Sequence, residues 1–165
     1  GLVQEGIEYT GFIFFGLIKV NGDPFVIEYN VRLGDPETQV IMPKIESDLL
    51  NVFMDMKQTE LFAKTNISIN NSVATTIILT SGGYPENYKK GYPVNGMNNV
   101  QKSILFHAGL KFEENKYLTN GGRVLAITSL ANNIKNAREN SYKTVEKISF
   151  RDMYFRKDIG LDLIK

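Results

Sequence analysis

The chain has no cysteine. That excludes disulfides and thiolate metal centres, and it suits a reducing compartment such as the cytoplasm. It has one histidine, His107. A lone histidine builds no zinc cluster, and no Ser–His–Asp arrangement emerges from its spacing. A packed or hydrogen-bonded structural role is the expectation for His107. Net charge is also scarce, at +1 over 165 residues, so electrostatics give no case for a nucleic-acid or membrane partner. Long apolar runs are missing too. The longest, Phe12 to Ile18, falls far short of the roughly 20 residues of a membrane-spanning helix. Residues 1–6 carry neither a basic start nor a signal-like apolar core. No internal repeat or low-complexity tract is present. What remains is 42% hydrophobic and 22% charged, enough for one globular domain or two small ones.

The most informative stretch runs from Phe25 to Gln39. It begins as a strand and ends as the start of a helix. Alternate strand residues share a face, so Glu28, Asn30 and Arg32 point one way and Ile27 and Tyr29 the other. A carboxylate and an amide oxygen two residues apart can both reach one hard cation, and Mg²⁺ favours such ligands. Arg32 can hold an anion through its planar fork of donors. Gly34 marks a turn, after which Asp35-Pro36-Glu37 reads as cap, first helical position and first turn. A solvated strand face followed by an ordinary helix start is the competing interpretation of the same residues.

Around this stretch, the pattern predicts a β-hairpin over 9–30, turning at Asn21-Gly22-Asp23-Pro24. A short helix follows from Pro36 to about Met42, ended or kinked by Pro43. Ser47-Asp48 restarts helix, with Leu49, Leu50, Phe53 and Met56 toward a core. The polar segment 61–71 is the candidate domain boundary. Val73 to Thr80 is β-branched and reads as a buried strand. Ser103 to Leu110 is another strand. Tyr117-Leu118-Thr119, Asn120-Gly121-Gly122 and Arg123 to Thr128 read as strand, tight turn and strand. Leu130, Ile134, Ala137, Ser141, Val145 and Ile148 recur every three or four residues and predict an amphipathic helix over 131–147. Lys135, Arg138, Glu139, Lys143 and Glu146 form its solvated face. The Gly82-Gly83 pair near Lys89 and Lys90 suggests a phosphate cradle, but no helix follows it, which favours a plain loop.

The run Arg32-Leu33-Gly34-Asp35-Pro36-Glu37-Thr38-Gln39 closely resembles the signature of the glycinamide ribonucleotide synthetase family, the phosphoribosylamine–glycine ligases of the ATP-grasp superfamily. Further runs resemble the same family in the same order: Ser81-Gly82-Gly83-Tyr84-Pro85, Tyr88-Lys89-Lys90-Gly91, Phe106-His107-Ala108-Gly109, Gly121-Gly122-Arg123-Val124-Leu125, and Tyr154 to Gly160 with Phe155 as an extra residue. The hairpin resembles the one that ends in the metal-binding Glu-x-Asn of ATP-grasp enzymes. Its first strand lacks the acidic metal ligand of many superfamily members, a departure that this branch shares and that argues against a two-metal site built from this chain alone.

The resemblance implies an α+β fold: residues 1–60 as the C-terminal end of an ATP-grasp domain (β-hairpin plus short helices), then 61–165 as a β-rich, barrel- or sandwich-like domain with one long helix. It implies ATP-dependent joining of glycine to 5-phosphoribosylamine through an acyl phosphate, in purine synthesis. Glu28 and Asn30 are implied as ligands of Mg²⁺ or Mn²⁺, and Arg32 as the catalytic group on the transferring phosphoryl or acyl phosphate. Arg32, Gly34, Asp35 and Glu37 are implied as substrate-binding, Asp35 as a simple helix cap being an equal alternative. Arg156 and Lys157 reach either an anionic substrate or a neighbouring subdomain. The family's adenine pocket and lid lie upstream, so the chain is expected to be a C-terminal fragment, inactive in isolation and completed by the N-terminal part of the same enzyme. Another ATP-grasp ligase or carboxylase, or a non-catalytic module on the same framework, are the alternatives.

Overall fold

A two-residue hairpin loop of type I′ needs positive φ at both central positions. Asn21 (51°) and Gly22 (100°) supply them. They join β1 (Phe14–Val20) to β2 (Asp23–Asn30) in an antiparallel pair, with Val20 opposite Asp23 and Phe14 opposite Asn30. The computed structural model describes residues 1–164 and divides into two compact units, residues 1–38 with 45–70, and 39–44 with the chain from 71 on. The fold is mixed, with sheets and few helices.

In the first unit, the β1–β2 ladder is interrupted between Gly16 and Leu17: Gly16 faces Glu28 but Leu17 faces Val26, so Ile27 is the extra residue of a bulge. Phe15 and Tyr29 pair edge to face, 5.2 Å apart. The Tyr9 hydroxyl donates to the carbonyls of Phe12 (2.7 Å) and Val31 (3.2 Å), tying the preceding segment to the exit of β2. The regular helix α1 (Thr38–Ile41) starts two residues later than Pro36. Its position is set by the Gly34 carbonyl, which accepts from both the Thr38 N–H (3.0 Å) and the Thr38 hydroxyl (2.5 Å). At Met42–Lys44, within the 39–44 stretch that belongs to the second unit, the helix tightens into a 3₁₀ turn around Pro43, where proline's missing donor stops an α-helix. α2 (Leu49–Asp55) is capped by Asp48, whose carboxylate accepts from the Leu50 N–H at 2.8 Å. The inward residue is Val52, not Leu50: Leu50 is 67% exposed and Phe53 half-exposed, its ring against Phe12. The polar stretch beyond holds one unforeseen helical turn, α3 (Thr59–Phe62), too short to leave a periodic signal.

The second unit is built on β3 (Val73–Ser81), whose alternate residues Thr75, Ile77, Leu79 and Ser81 are buried. It pairs antiparallel with β7 (Arg123–Ala131) in a four-stranded sheet of order β4-β7-β3-β8, with β4 spanning Ile104–His107 and β8 Met153–Tyr154. β5 (Leu110–Glu113) and β6 (Lys116–Thr119) form a separate hairpin. This corrects the expected strand-turn-strand across Asn120-Gly121-Gly122. Both strands exist, but β6 pairs with β5 and β7 with β3 and β4, so the glycines form a crossover between sheets. Their lack of side chains permits it: the Gly109 and Gly121 backbones approach too closely for any Cβ at Gly109.

α4 (Ile134–Val145) crosses β3 and β7. Asn133 caps it, accepting from the Asn136 N–H at 2.8 Å. Its inward face is Ala137, Ser141, Thr144 and Val145, close to the expected stripe. The hydroxyls on that face are paired: Ser141 donates to the Thr75 carbonyl (3.0 Å), and the Ser103 hydroxyl bridges those of Ser129 (2.8 Å) and Thr144 (2.7 Å). Ile77, Leu79, Val94, Val124, Leu125, Ile127, Val145, Ile148 and Phe150 form one core. Among the described residues no helix is long and apolar enough to cross a membrane.

Candidate functional site

The end of β2 places Glu28 and Asn30 on one face, as alternation requires. The Asn30 side-chain amide donates to Glu28 Oε1 at 2.9 Å. Directly across the ladder is Gly16, and a Cβ there would lie 2.9 Å from Glu28 Cγ. Glycine therefore makes room for the carboxylate to lie across the neighbouring strand. The bulge at Ile27 aims Glu28 at that gap, a common use of bulges near functional groups. Gly16 is not among the candidates that residue type and spacing point to. A glycine inside an otherwise apolar, β-branched strand was the available signal.

Arg32 sits past the strand end, where alternation no longer applies. Its guanidinium donates to the Leu33 carbonyl at 3.0 Å and is not hydrogen-bonded to Glu28 or Asn30. The side chain is exposed, so its remaining donors face solvent. Gly34 is buried, and the Glu37 side chain folds back over it, occupying the space a Cβ would need. Gly34, Glu37 and Thr38 thus form one tight turn. Asp35 is exposed on that turn. Gln39 Oε1, the last polar atom of the run, is buried without a hydrogen-bond partner. The structure brings Glu28 to Asn30 and Gly34 to Glu37, and leaves Arg32 between these two pairs in sequence.

Glu28 and Asn30 offer one carboxylate and one amide oxygen. Among the described residues there is no cluster of three or more His, Cys, Asp or Glu. A cation that demands a full protein cage does not fit. One that takes two protein oxygens and keeps phosphate and water as its other ligands does fit, which is the habit of Mg²⁺.

The remaining candidates lie in the second unit. His107 is exposed on β4, its ring edge-on to Tyr117 at 5.1 Å. Arg138 is no member of a solvated face. It donates to the carbonyls of Ile159 (2.9 Å) and Lys157 (2.6 Å) and lies over the Tyr142 ring, while the Tyr142 hydroxyl donates to the Arg156 carbonyl (2.8 Å). Helix α4 therefore straps down the terminal segment. Arg156 engages Asp158 through two hydrogen bonds, of 3.0 and 2.7 Å. That hydrogen bonding, then the opposite charge, holds the Arg156 pKa above its ordinary value, and hydrogen bonding from Arg156 holds the Asp158 carboxyl below its own.

Two family profiles match parts of the chain. The profile described as "Phosphoribosylglycinamide synthetase, C domain" matches residues 74–162, and that of the "ATP-grasp (A) domain" of the same synthetase matches residues 1–38. A phosphoribosylamine–glycine ligase of Fusobacterium nucleatum is 42% identical over 97% of this chain and 38% of its own length. The human trifunctional purine biosynthetic protein adenosine-3 is 38% identical over 99% of this chain and 16% of its own length. A crystal structure of the Thermotoga maritima phosphoribosylamine–glycine ligase superposes with a TM-score of 0.79 at 32% identity, covering 95% of this chain and 39% of that one. The chain thus spans about 38% of the length of the first of these relatives. With its C-domain match alone covering more than half of its residues, the chain belongs to the phosphoribosylglycinamide synthetase family.

Proposed function

We propose that this chain is the C-terminal part of an ATP-dependent phosphoribosylamine–glycine ligase acting in the cytoplasm in purine synthesis. The observation that carries the reading is the Glu28–Asn30 pair, held together at 2.9 Å at the end of a bulged hairpin and followed at once by the Arg32–Gln39 run. The glycine carboxylate attacks the γ-phosphorus of ATP and ADP departs. The amine of 5-phosphoribosylamine then attacks the acyl phosphate carbon and phosphate departs. Glu28 and Asn30 hold Mg²⁺ or Mn²⁺, which when bound neutralises charge on the ATP phosphates. Arg32, with its free donors directed to solvent, steadies the oxygens of the transferring group. The Gly34–Glu37 turn and the Asp35 carboxylate bind and orient the amino group of a substrate.

On this reading, residues 1–60 close an ATP-grasp domain and 61–165 form the C-terminal domain, a barrel- or sandwich-like β structure with α4 as its long helix. The hairpin supports it. Phe15, Leu17, Ile18, Phe25, Ile27 and Tyr29 are each at least half exposed, and a two-stranded sheet with apolar residues on both faces is not stable by itself. The upstream part of the ligase covers those faces and supplies the adenine pocket. The isolated chain does not make product.

The test is ADP release by the full-length protein with Mg-ATP, adding glycine and phosphoribosylamine singly and together. Release only with both is expected. Release with another acid or amine moves the substrate within the ATP-grasp ligases, and no release with any pair overturns the ligase reading.

A further inference from the structure

Three Asn-Gly pairs occur in the sequence: Asn21-Gly22, Asn95-Gly96 and Asn120-Gly121. Such a pair can react with itself. The glycine nitrogen gives up its proton and attacks Cγ of the asparagine. The N–Cγ bond forms, the Cγ–Nδ2 bond breaks, and ammonia leaves with the proton. Water then opens the five-membered succinimide. Addition at Cγ gives aspartate. Addition at the main-chain carbonyl gives isoaspartate, with the chain rerouted through Cβ and Cγ. Closing the ring fixes rotation about the asparagine Cα–C bond, so the following glycine has to swing.

Access to water does not separate the pairs, because all three asparagines are exposed. Backbone freedom does. At Gly96 (φ 85°) the Lys147 carbonyl stands where a Cβ would go, and Asn95 exchanges two backbone bonds with Ser149, of 2.9 and 3.2 Å. The Gly121 backbone lies against that of Gly109, and the Asn120 N–H donates to the Gly109 carbonyl at 2.7 Å. Both of these glycines are half-buried. Gly22 (φ 100°) is exposed, and nothing lies within 4 Å of the place of its Cβ. The ladder closes at Val20 and Asp23 and so includes neither turn residue. Among the described residues, the Asn21 side-chain amide has no hydrogen-bond partner. Lys19 and Asp23 beside the turn are exposed, so the tip is polar and suits water even where the apolar faces of the hairpin are covered.

The geometry points to Asn21 as the deamidation site of this protein, with Asn95 and Asn120 protected by the fold. Isoaspartate at this position lengthens a two-residue turn that needs positive φ at both positions and adds a negative charge beside Asp23. Turn geometry sets the register of a hairpin, so the product loosens the pairing of β1 with β2.

The test is peptide mapping of the full-length protein held at mildly alkaline pH, folded and, separately, unfolded in guanidinium chloride. In the unfolded protein the three pairs should react at similar rates. Folding should slow Asn95 and Asn120 at least roughly tenfold, which is about 1.4 kcal/mol of barrier, and Asn21 by less than about threefold. Hydrogen exchange of the aged protein should be faster over β1 and β2. Asn21→Gly keeps a residue that accepts positive φ and removes the reacting side chain, so its hairpin should not change with time. Asn21 protected as strongly as the other two, Asn95 or Asn120 reacting first, or hairpin exchange in the aged native protein matching that of Asn21→Gly would each overturn the proposal.

Discussion

The two units are both rich in apolar, β-branched sequence, yet they use it in opposite ways. From residue 71 on, nine apolar side chains form one buried cluster beneath a four-stranded sheet and a twelve-residue helix. In residues 1–38 and 45–70, Val52 is the one hydrophobic side chain that is buried, and the hairpin exposes apolar residues on both faces. The first pattern is a packed core. The second leaves apolar side chains open to solvent. Glu28, Asn30 and residues 32–38 fall in the second pattern, so the residues proposed for chemistry do not belong to the best-packed part of the chain.

Substitutions can break or sharpen that contrast. The largest effect is expected from Leu79→Ala in β3, fully buried in the core. It should cost about 3 kcal/mol in urea unfolding followed by a probe in the second unit. Ile27→Ala, at a 65% exposed position, should change the same transition by under about 0.5 kcal/mol. Equal losses would mean that the hairpin is as well packed as the sheet.

Next is Arg138→Ala. It removes two hydrogen bonds from a charged donor, so a loss of roughly 2 kcal/mol is expected. Hydrogen exchange should show it as faster exchange over residues 157–164, ahead of β3 and β7. If protection there is unchanged, Arg138 does not strap the terminal segment.

The two helix caps give a smaller, matched pair. Asn133→Ala should cost about 1 kcal/mol in the transition of the second unit. Asp48→Ala removes an equivalent bond but should leave that transition in place, and the difference between the two is a direct reading of how separately the units unfold.

The smallest effect is one of pH. Asp158 titrates below its ordinary value because Arg156 donates to it. Its contribution to stability is therefore complete above the ordinary carboxylate range and is lost as pH falls through the lowered value. The pair is exposed, so solvent screens it. Asp158→Asn should flatten the acid limb of the stability–pH curve only slightly and leave the neutral region unchanged.

Local pattern carried much of this structure. The β-branched run from Val73 to Thr80 and the three-or-four spacing of Ala137, Ser141 and Val145 mark buried elements, and a strand and a helix lie close to where those patterns put them. The order of motifs was enough to place the chain in its family. Pairing was not legible. Asn120-Gly121-Gly122 reads as a hairpin turn, because nothing local distinguishes a turn from a crossover whose glycines serve close backbone approach. Leu50 reads as core because periodicity cannot say whether a core exists for a face to meet. In the candidate site, Glu28 beside Asn30 follows from a strand's period of two. The room that Gly16 leaves for Glu28 depends on a bulge, a property of two strands together. Arg138 looks like surface charge until its acceptors, nineteen and twenty-one residues away, are in place.

The central claim is that the end of the hairpin does chemistry. Its most direct test is kcat for ADP release by the full-length protein, with Mg-ATP, glycine and phosphoribosylamine, comparing the native protein with Glu28→Gln. Loss of a metal-and-phosphate contact predicts a drop on the order of 10²-fold, with an unchanged unfolding temperature because Glu28 is exposed. A Glu28→Gln protein that turns over at the native rate would contradict it.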